Sequence, residues 1–214
     1  MPRWGMVIDL KRCAGCQTCT VACKMENFVP PGVFFTRVND YEAGTYPHVQ
    51  RHFLPVGCMH CKDAPCVQAC PSGASARRQD GIVLVDQNLC VGCRYCMVVC
   101  PYGARDFNEE SNAAYFGPGP TPSEAFGAGR YPKGSVVKCT FCADRIDEAG
   151  SRGLTPGVDR DATPACVGSC IAGARFFGDL DDEDSQISQL IRARGGKPLQ
   201  EELGTEPSVY YLPR

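Results

Sequence analysis

Sixteen cysteines in a chain of 214 residues fall into four groups of four, with none left over. The groups are Cys13, Cys16, Cys19 and Cys23; Cys58, Cys61, Cys66 and Cys70; Cys90, Cys93, Cys96 and Cys100; and Cys139, Cys142, Cys166 and Cys170. Groups one and three share the spacing C-x2-C-x2-C-x3-C, and group two is C-x2-C-x4-C-x3-C. Group four is split, with 23 residues between its C-x2-C and its C-x3-C. Cys70 and Cys100 are each followed by a proline, Pro71 and Pro101. The chain also holds 23 Gly and 17 Pro, which favour loops over a single large apolar core. Cross-links, through disulfides or metal, must then supply part of the folding free energy.

Three close thiols and a fourth about one helical turn further on is the bacterial ferredoxin run. The first three wrap an iron–sulfur cube, and the fourth points away to the other cluster of the pair. The proline after it stops the helix. Pairing group one with group four and group two with group three assigns four 4Fe–4S sites. These are Cys13, Cys16, Cys19 with Cys170; Cys23 with Cys139, Cys142, Cys166; Cys58, Cys61, Cys66 with Cys100; and Cys70 with Cys90, Cys93, Cys96. Disulfides leave the repeated spacing and the prolines unexplained. Zinc ribbons use two C-x2-C hooks per ion rather than three close thiols and a distant fourth. A three-iron cluster in one complete-looking quartet stays open at this point.

The formal net charge is −2 with neutral thiols. Each oxidised 4Fe–4S site with four thiolates carries about −2, which would bring the loaded chain to about −10. Such charge needs backbone N–H groups and cations around it. Lys24, Lys62, Arg94 and Lys138 lie in or beside the groups and are candidate tuners of potential; ordinary exposed charge accounts for each equally well. His48, His52 and His60 are too scattered for a catalytic cluster. His60 lies inside C-M-H-C, where a surface or supporting place without a redox role is the expectation. No dinucleotide or phosphate-binding glycine motif and no nucleophilic triad spacing occurs, so the chain reads as a non-catalytic conductor of single electrons. The charge balance is no nucleic-acid footprint.

Short strands are expected at Trp4 to Leu10, Phe34 to Tyr41, Arg51 to Val56, Gly81 to Asp86 and Ala174 to Leu180. The cysteine helices read as single turns, such as Thr20 to Met25 and Val67 to Cys70. The longest expected helix is Asp184 to Arg194, capped by Asp184 or Ser185 and stopped at Gly195-Gly196. Asn108 to Gly134 reads as a Gly/Pro-rich loop, Glu148 to Thr163 as an irregular insertion, and Ser208 to Leu212 as a strand or a partner-embracing arm. No apolar run approaches the ~20 residues that span a bilayer. Met1 to Lys11 is too short for a signal peptide, so export, if any, is expected to depend on a partner.

Further strings join the cysteine pattern: Met6-Val7-Ile8-Asp9, C-K-M-E-N from Cys23 to Asn27, Pro30-Pro31-Gly32-Val33, D-A-P-C from Asp63 to Cys66, C-P-Y-G-A from Cys100 to Ala104, K-C-T-F-C-A-D-R from Lys138 to Arg145, and G-D-L-D-D from Gly178 to Asp182. Together they resemble the four-cluster electron-transfer subunits of the dimethyl sulfoxide reductase-type molybdenum enzymes. The closest look is to the polysulfide, thiosulfate, tetrathionate and arsenate reductase branch, and the resemblance covers nearly the whole chain. It implies an α+β fold of two fused bacterial-ferredoxin-like modules with short strands and long loops. The first module would take residues 1–50 and 136–180 and the second 51–107, with an insertion at 108–135 and a C-terminal helix and arm at 181–214. It also implies a large molybdopterin-containing catalytic subunit and an integral-membrane quinone-reactive subunit as partners. The site of Cys13, Cys16, Cys19 and Cys170 would face the catalytic subunit, and that of Cys70, Cys90, Cys93 and Cys96 the membrane side. Cys93 stands where nitrate reductase relatives carry Trp and a three-iron cluster, so a full cube is expected there. Ile171 after Cys170 departs from the ferredoxin proline but leaves every ligand in place. Membrane association through partners, on the periplasmic side, is the expected location; the cytoplasmic side is the alternative. The competing functions are a free-standing polyferredoxin and a subunit of a formate dehydrogenase- or hydrogenase-type complex.

Overall fold

The strand Trp4–Asp9 organises the molecule. It pairs in parallel with Val209–Leu212, from Met6 opposite Val209 to Asp9 opposite Leu212. On its other side it runs antiparallel to Arg175–Asp179. Lys197–Pro198 completes a four-stranded sheet. The computed structural model describes residues 1–109 and 114–214.

Side chains alternate across a strand, and here the alternation divides the interior. Met6 and Ile8 face the main core with Phe177, Val209, Tyr211, Phe141 and several cysteines. Val7 faces the other way, onto the helix Gln186–Arg194, where Ile187 and Leu212 are fully buried. That helix starts at Ser185, whose hydroxyl accepts from the Ser188 N–H at 3.3 Å, and stops at left-handed Gly195. The start is two residues later than the sequence suggested because Ser185, not Asp184, takes the cap.

Three two-stranded hairpins complete the strands: Thr36–Ala43 with Gln50–Gly57, Ser75–Arg77 with Val83–Val85, and Asp106–Asn108 with Ser135–Val137. Each places a cysteine group at its end. The expected single-turn helices hold for Pro65–Gln68, Tyr95–Val98 and Ala165–Gly168. They fail for Thr18–Asn27 and Ala143–Arg152, which each run ten residues. In the first, Cys19, Cys23 and Asn27 recur every four residues and share one buried stripe, so the whole length has an inward face to bury. The second runs into the segment expected to be irregular, where Arg160–Ala162 adds a short helical turn.

The insertion is the connection of the Asp106–Asn108/Ser135–Val137 hairpin. It is not all loop: Pro122–Gly127 is a helix with a capping box, in which Thr121 and Glu124 each accept from the other's backbone N–H. Part of that expected loop, residues 110–113, lies outside the described residues. The C-terminal segment embraces its own chain. Ser208 N–H donates to the Met59 carbonyl at 2.8 Å, the Tyr211 hydroxyl donates to the Pro55 carbonyl at 2.8 Å, and Val209–Leu212 is an interior strand of the sheet. No described helix is long and apolar enough to cross a membrane.

Ile187 closes the space between sheet and helix. Ile187→Ala is expected to lower the unfolding free energy by about 3 kcal/mol, the usual result of emptying a fully buried aliphatic site. Anaerobic thermal unfolding of the iron-loaded chain checks this; an unchanged midpoint would mean that the helix contributes nothing to the sheet.

Candidate iron–sulfur sites

Each C-x2-C hook needs the chain to double back so that its sulfurs point inward together. In the first hook of each group the fold does this with a left-handed residue just before the second cysteine. Those residues are Gly15 at φ 70°, His60 at 46°, Gly92 at 67° and Phe141 at 54°. Glycine is needed at two of them for space as well. A Cβ on Gly92 would stand 2.2 Å from the Gly134 carbonyl oxygen, and one on Gly15 would stand 2.4 Å from the Phe53 ring. His60 and Phe141 adopt this costly conformation with large side chains, held by packing. Their rings stack at 3.7 Å between centroids.

Four cavities are ringed by these loops. One is lined by Cys13, Cys16, Cys19 and Cys170. A second is lined by Cys23, Cys139, Cys142 and Cys166, with Cys58 at its edge. A third is lined by Cys58, Cys61, Cys66 and Cys100, and a fourth by Cys70, Cys90, Cys93 and Cys96. All sixteen thiols are free. Among the described residues no three His, Cys, Asp or Glu side chains converge tightly enough to hold a lone metal ion. The thiols surround voids instead, which suits a many-atom cluster better than zinc.

Backbone and side-chain donors already point at sulfur. The N–H groups of Ser75, Val136, Phe141 and Ala174 donate to the Sγ atoms of Cys70, Cys90, Cys139 and Cys170 at 3.4, 3.5, 3.4 and 3.3 Å. Asn27 Nδ2 lies 3.6 Å from Cys23 Sγ and 3.7 Å from Cys142 Sγ. Arg105 Nη2 donates to Cys66 Sγ at 3.0 Å, and Arg175 Nη1 to Cys166 Sγ at 3.7 Å. Three buried nitrogens, His60 Nε2, Arg77 Nε and Arg105 Nε, have no acceptor among the described residues. Donors that converge on thiols form the surroundings an anionic iron–sulfur group requires.

The four cations singled out in the sequence divide. Lys138 is buried beside Cys139 and donates to the carbonyls of Val83 and Cys139. Lys24 is half-buried, bonded to the Pro30 carbonyl at 3.1 Å and stacked over Phe34. Lys62 pairs on the surface with Glu206 at 2.8 Å, and Arg94 lies exposed over the Phe107 ring at 3.6 Å. Arg105, Arg175 and Asn27 were not singled out. Asn27 closes the string C-K-M-E-N, and the two arginines lie just beyond the quoted strings, yet C-P-Y-G-A-R ending at Arg105 and C-I-A-G-A-R ending at Arg175 repeat one pattern. His60 takes the supporting place rather than the surface one: it is fully buried, and its Nδ1 accepts from the Val83 N–H at 3.1 Å. The stack with Phe141 draws it inward.

Loops, thiols and donors together define an iron–sulfur electron carrier. The comparisons agree. Residues 12–75, 49–115 and 89–174 each match a 4Fe-4S dicluster domain. The chain is 42% identical over 226 residues to a putative dimethyl sulfoxide reductase iron-sulfur subunit of Halobacterium salinarum, covering 99% of this chain and 79% of that one. It is 41% identical over 221 residues to a selenate reductase subunit of Mesobacillus selenatarsenatis, covering 98% and 72%. It is 39% identical over 230 residues to a sulfite dehydrogenase subunit of Allochromatium vinosum, covering 100% and 84%. The chain belongs to the family of iron–sulfur electron-transfer subunits of the dimethyl sulfoxide reductase-type oxidoreductases, and it carries 4Fe–4S clusters.

Burial pushes the Cys61 thiol up to about 12 and the Cys166 thiol to about 11. In the metal-free fold both are therefore neutral at pH 7 and must release a proton to bind iron. Loading the metal-free chain with ferrous iron and sulfide is expected to speed up between pH 7 and 9, by up to about tenfold per unit if one proton limits the step. Visible absorbance of the cluster follows it; a rate independent of pH would show that these thiols do not limit assembly.

Proposed function

We propose that this chain holds four 4Fe–4S clusters and relays single electrons between a molybdopterin-containing catalytic subunit and an integral-membrane, quinone-reactive subunit. The ligand sets are Cys13, Cys16, Cys19, Cys170; Cys23, Cys139, Cys142, Cys166; Cys58, Cys61, Cys66, Cys100; and Cys70, Cys90, Cys93, Cys96. Each cluster would supply one-electron redox chemistry. Residues 1–50 with 136–180, and 51–107, form two ferredoxin-like halves in this reading. The complex acts on a sulfur, arsenic or selenium oxyanion, in line with what the similar proteins are named for.

The observation that carries the reading is the continuity of the four cavities. Arg175 lines both the first and the second, and Cys58 lines both the second and the third. The third and fourth are joined by Arg105, which bonds Cys66 of one and Ser75 at the wall of the other. The order is therefore linear. Its two terminal cavities are the ones with an exposed cysteine, Cys16 and Cys93.

Both termini also expose apolar side chains. Val21, Met25 and Ile171 are near Cys16 in the chain or beside its quartet partner Cys170, and Val91, Tyr95 and Val98 are near Cys93. Exposed apolar groups beside a redox terminus fit docking to a partner, where water is expelled from the path of the electron. Following the family resemblance, the Cys16 terminus faces the catalytic subunit and the Cys93 terminus the membrane subunit. Placement on the periplasmic side is part of the same proposal.

The test is anaerobic purification of this chain from its own cells, with iron, sulfide and molybdenum analysis and mass spectrometry. About 16 irons per chain are expected, together with a large molybdenum-bearing subunit. A chain that elutes alone without molybdenum would make it a free polyferredoxin, and an iron content nearer three clusters would remove one of the assigned sites.

A further inference from the structure

Two guanidinium groups are buried deep among the thiols. Arg105 is 4% exposed and Arg175 is 7% exposed. The thiols that face Arg105 are those of Cys66, Cys96 and Cys58, and those that face Arg175 are those of Cys166, Cys19 and Cys170, with the Tyr211 phenol beside them. Each arginine thus stands between the terminal and the interior quartet of its own half. In each half it bonds a thiol of the interior quartet.

Each is also oriented by a hydroxyl. Arg105 Nη1 donates to Ser75 Oγ at 2.9 Å, and Arg175 Nη2 donates to Thr36 Oγ1 at 3.1 Å. Ser75 opens the strand after group two, and Thr36 opens the strand after group one. Arg175 opens the strand after group four, and Arg105 immediately precedes the strand after group three. Groups two and four supply three cysteines each to the interior sites, so they are equivalent in the two halves. Groups one and three are equivalent in the same sense. At equivalent places, then, one half has hydroxyl where the other has arginine, and the reverse. The pair has exchanged its ends but has kept its composition, one cation and one hydroxyl. In both halves the cation bonds the third cysteine of its interior set, Cys66 or Cys166.

We propose that Arg105 and Arg175 are the positioning residues that set the reduction potentials of the two interior sites. This rests on the quartet assignment above. Reduction adds one electron, and so one negative charge, to a site from which water is largely excluded. Burial alone disfavours that charge and lowers the potential. A fixed cation with a charge-assisted bond to sulfur stabilises the reduced form and raises it. Arginine suits the place because it stays charged when buried and can hold sulfur and hydroxyl at once with its planar fork.

Potentiometric titration followed by electron paramagnetic resonance, on the whole cluster-loaded complex, tests this. In Arg105→Met and Arg175→Met, the reduced-to-oxidised ratio of one interior centre at fixed ambient potential is expected to fall at least tenfold. That is a midpoint drop of ~59 mV for a one-electron couple. Arg→Lys at either position should shift the same centre in the same direction by less, because the charge stays while one bond is lost. Unchanged midpoints at full iron content in both Met variants overturn the proposal. Where a Met variant loses iron, Thr36→Val and Ser75→Ala decide. They free one arm of the guanidinium and should lower the same midpoint, and no shift in either also overturns it. Loss of one assigned site is a separate failure, visible in the parent protein as an iron count below four clusters, before any arginine is changed.

Discussion

Negative charge inside a small protein is the constraint on which everything else here turns. A thiolate-ligated cluster is an anion, and a buried anion is strongly disfavoured unless donors or cations surround it. The chain's answer is local and repeated. Backbone N–H groups reach Cys70, Cys90, Cys139 and Cys170. Asn27, Arg105 and Arg175 reach sulfurs in the interior quartets, and Lys138 is buried among them. The terminal quartets are nearer the surface, with Cys16 and Cys93 exposed, and there the Thr18 and Ser72 hydroxyls lie beside Cys16 and Cys70. Each buried arginine stands where the interior and terminal quartets of its half meet, so one cation serves the electrostatic problem of both.

The same constraint explains why so little of the chain is conventional core. The sheet built on Trp4–Asp9 has one ordinary apolar contact, with the helix Gln186–Arg194, and one face devoted to cysteine loops. Its two central strands come from opposite ends of the chain. The segment from Thr205 to Ser208 ties that sheet to the second cysteine group. The Thr205 hydroxyl meets the Tyr102 hydroxyl at 2.6 Å, and Ser208 Oγ donates to the His60 carbonyl at 2.9 Å. Ordering of the C-terminus and of the second group are therefore linked, and the metal sites supply the folding free energy that a small core does not.

Much of this was legible because cysteine spacing carries geometry. Three of the thiols lining the first, third and fourth cavities come from one cysteine string, and the strands that were expected fall within a few residues of their places. What was not legible has identifiable causes. The first helix was read as one turn because its inward stripe is made of Cys19, Cys23 and Asn27 rather than of aliphatic residues. The helix in the insertion was hidden by its Gly/Pro composition, although T-P-S-E at Thr121 to Glu124 is a capping-box sequence. Arg105 and Arg175 were missed because proximity in sequence was taken as proximity to a site. Each is five residues beyond a cysteine, but strand entry turns it back onto a different one. Lys62 fails by the same reasoning in reverse: it is beside a cysteine in the chain, yet its side chain pairs with Glu206 on the surface.

His60 and Phe141 show most directly how the repeated loop was adapted. They occupy the position that Gly15 and Gly92 occupy in the terminal loops, with the same sign of φ. At the termini the place is crowded by Phe53 or by the Gly134 carbonyl, and only glycine fits. In the interior the two loops approach each other, and the space between them is filled by the stacked rings. Glycine there would leave a void where the second and third cavities meet, at the point marked by Cys58. A left-handed histidine or phenylalanine is strained in isolation. Here the strain is offset by a contact that only two such residues, one on each loop, can make. The cost in backbone conformation and the gain in packing fall on the same pair of residues. Packing at this junction therefore constrains both loops together: a small side chain at either position would leave the other ring strained and without its stacking partner.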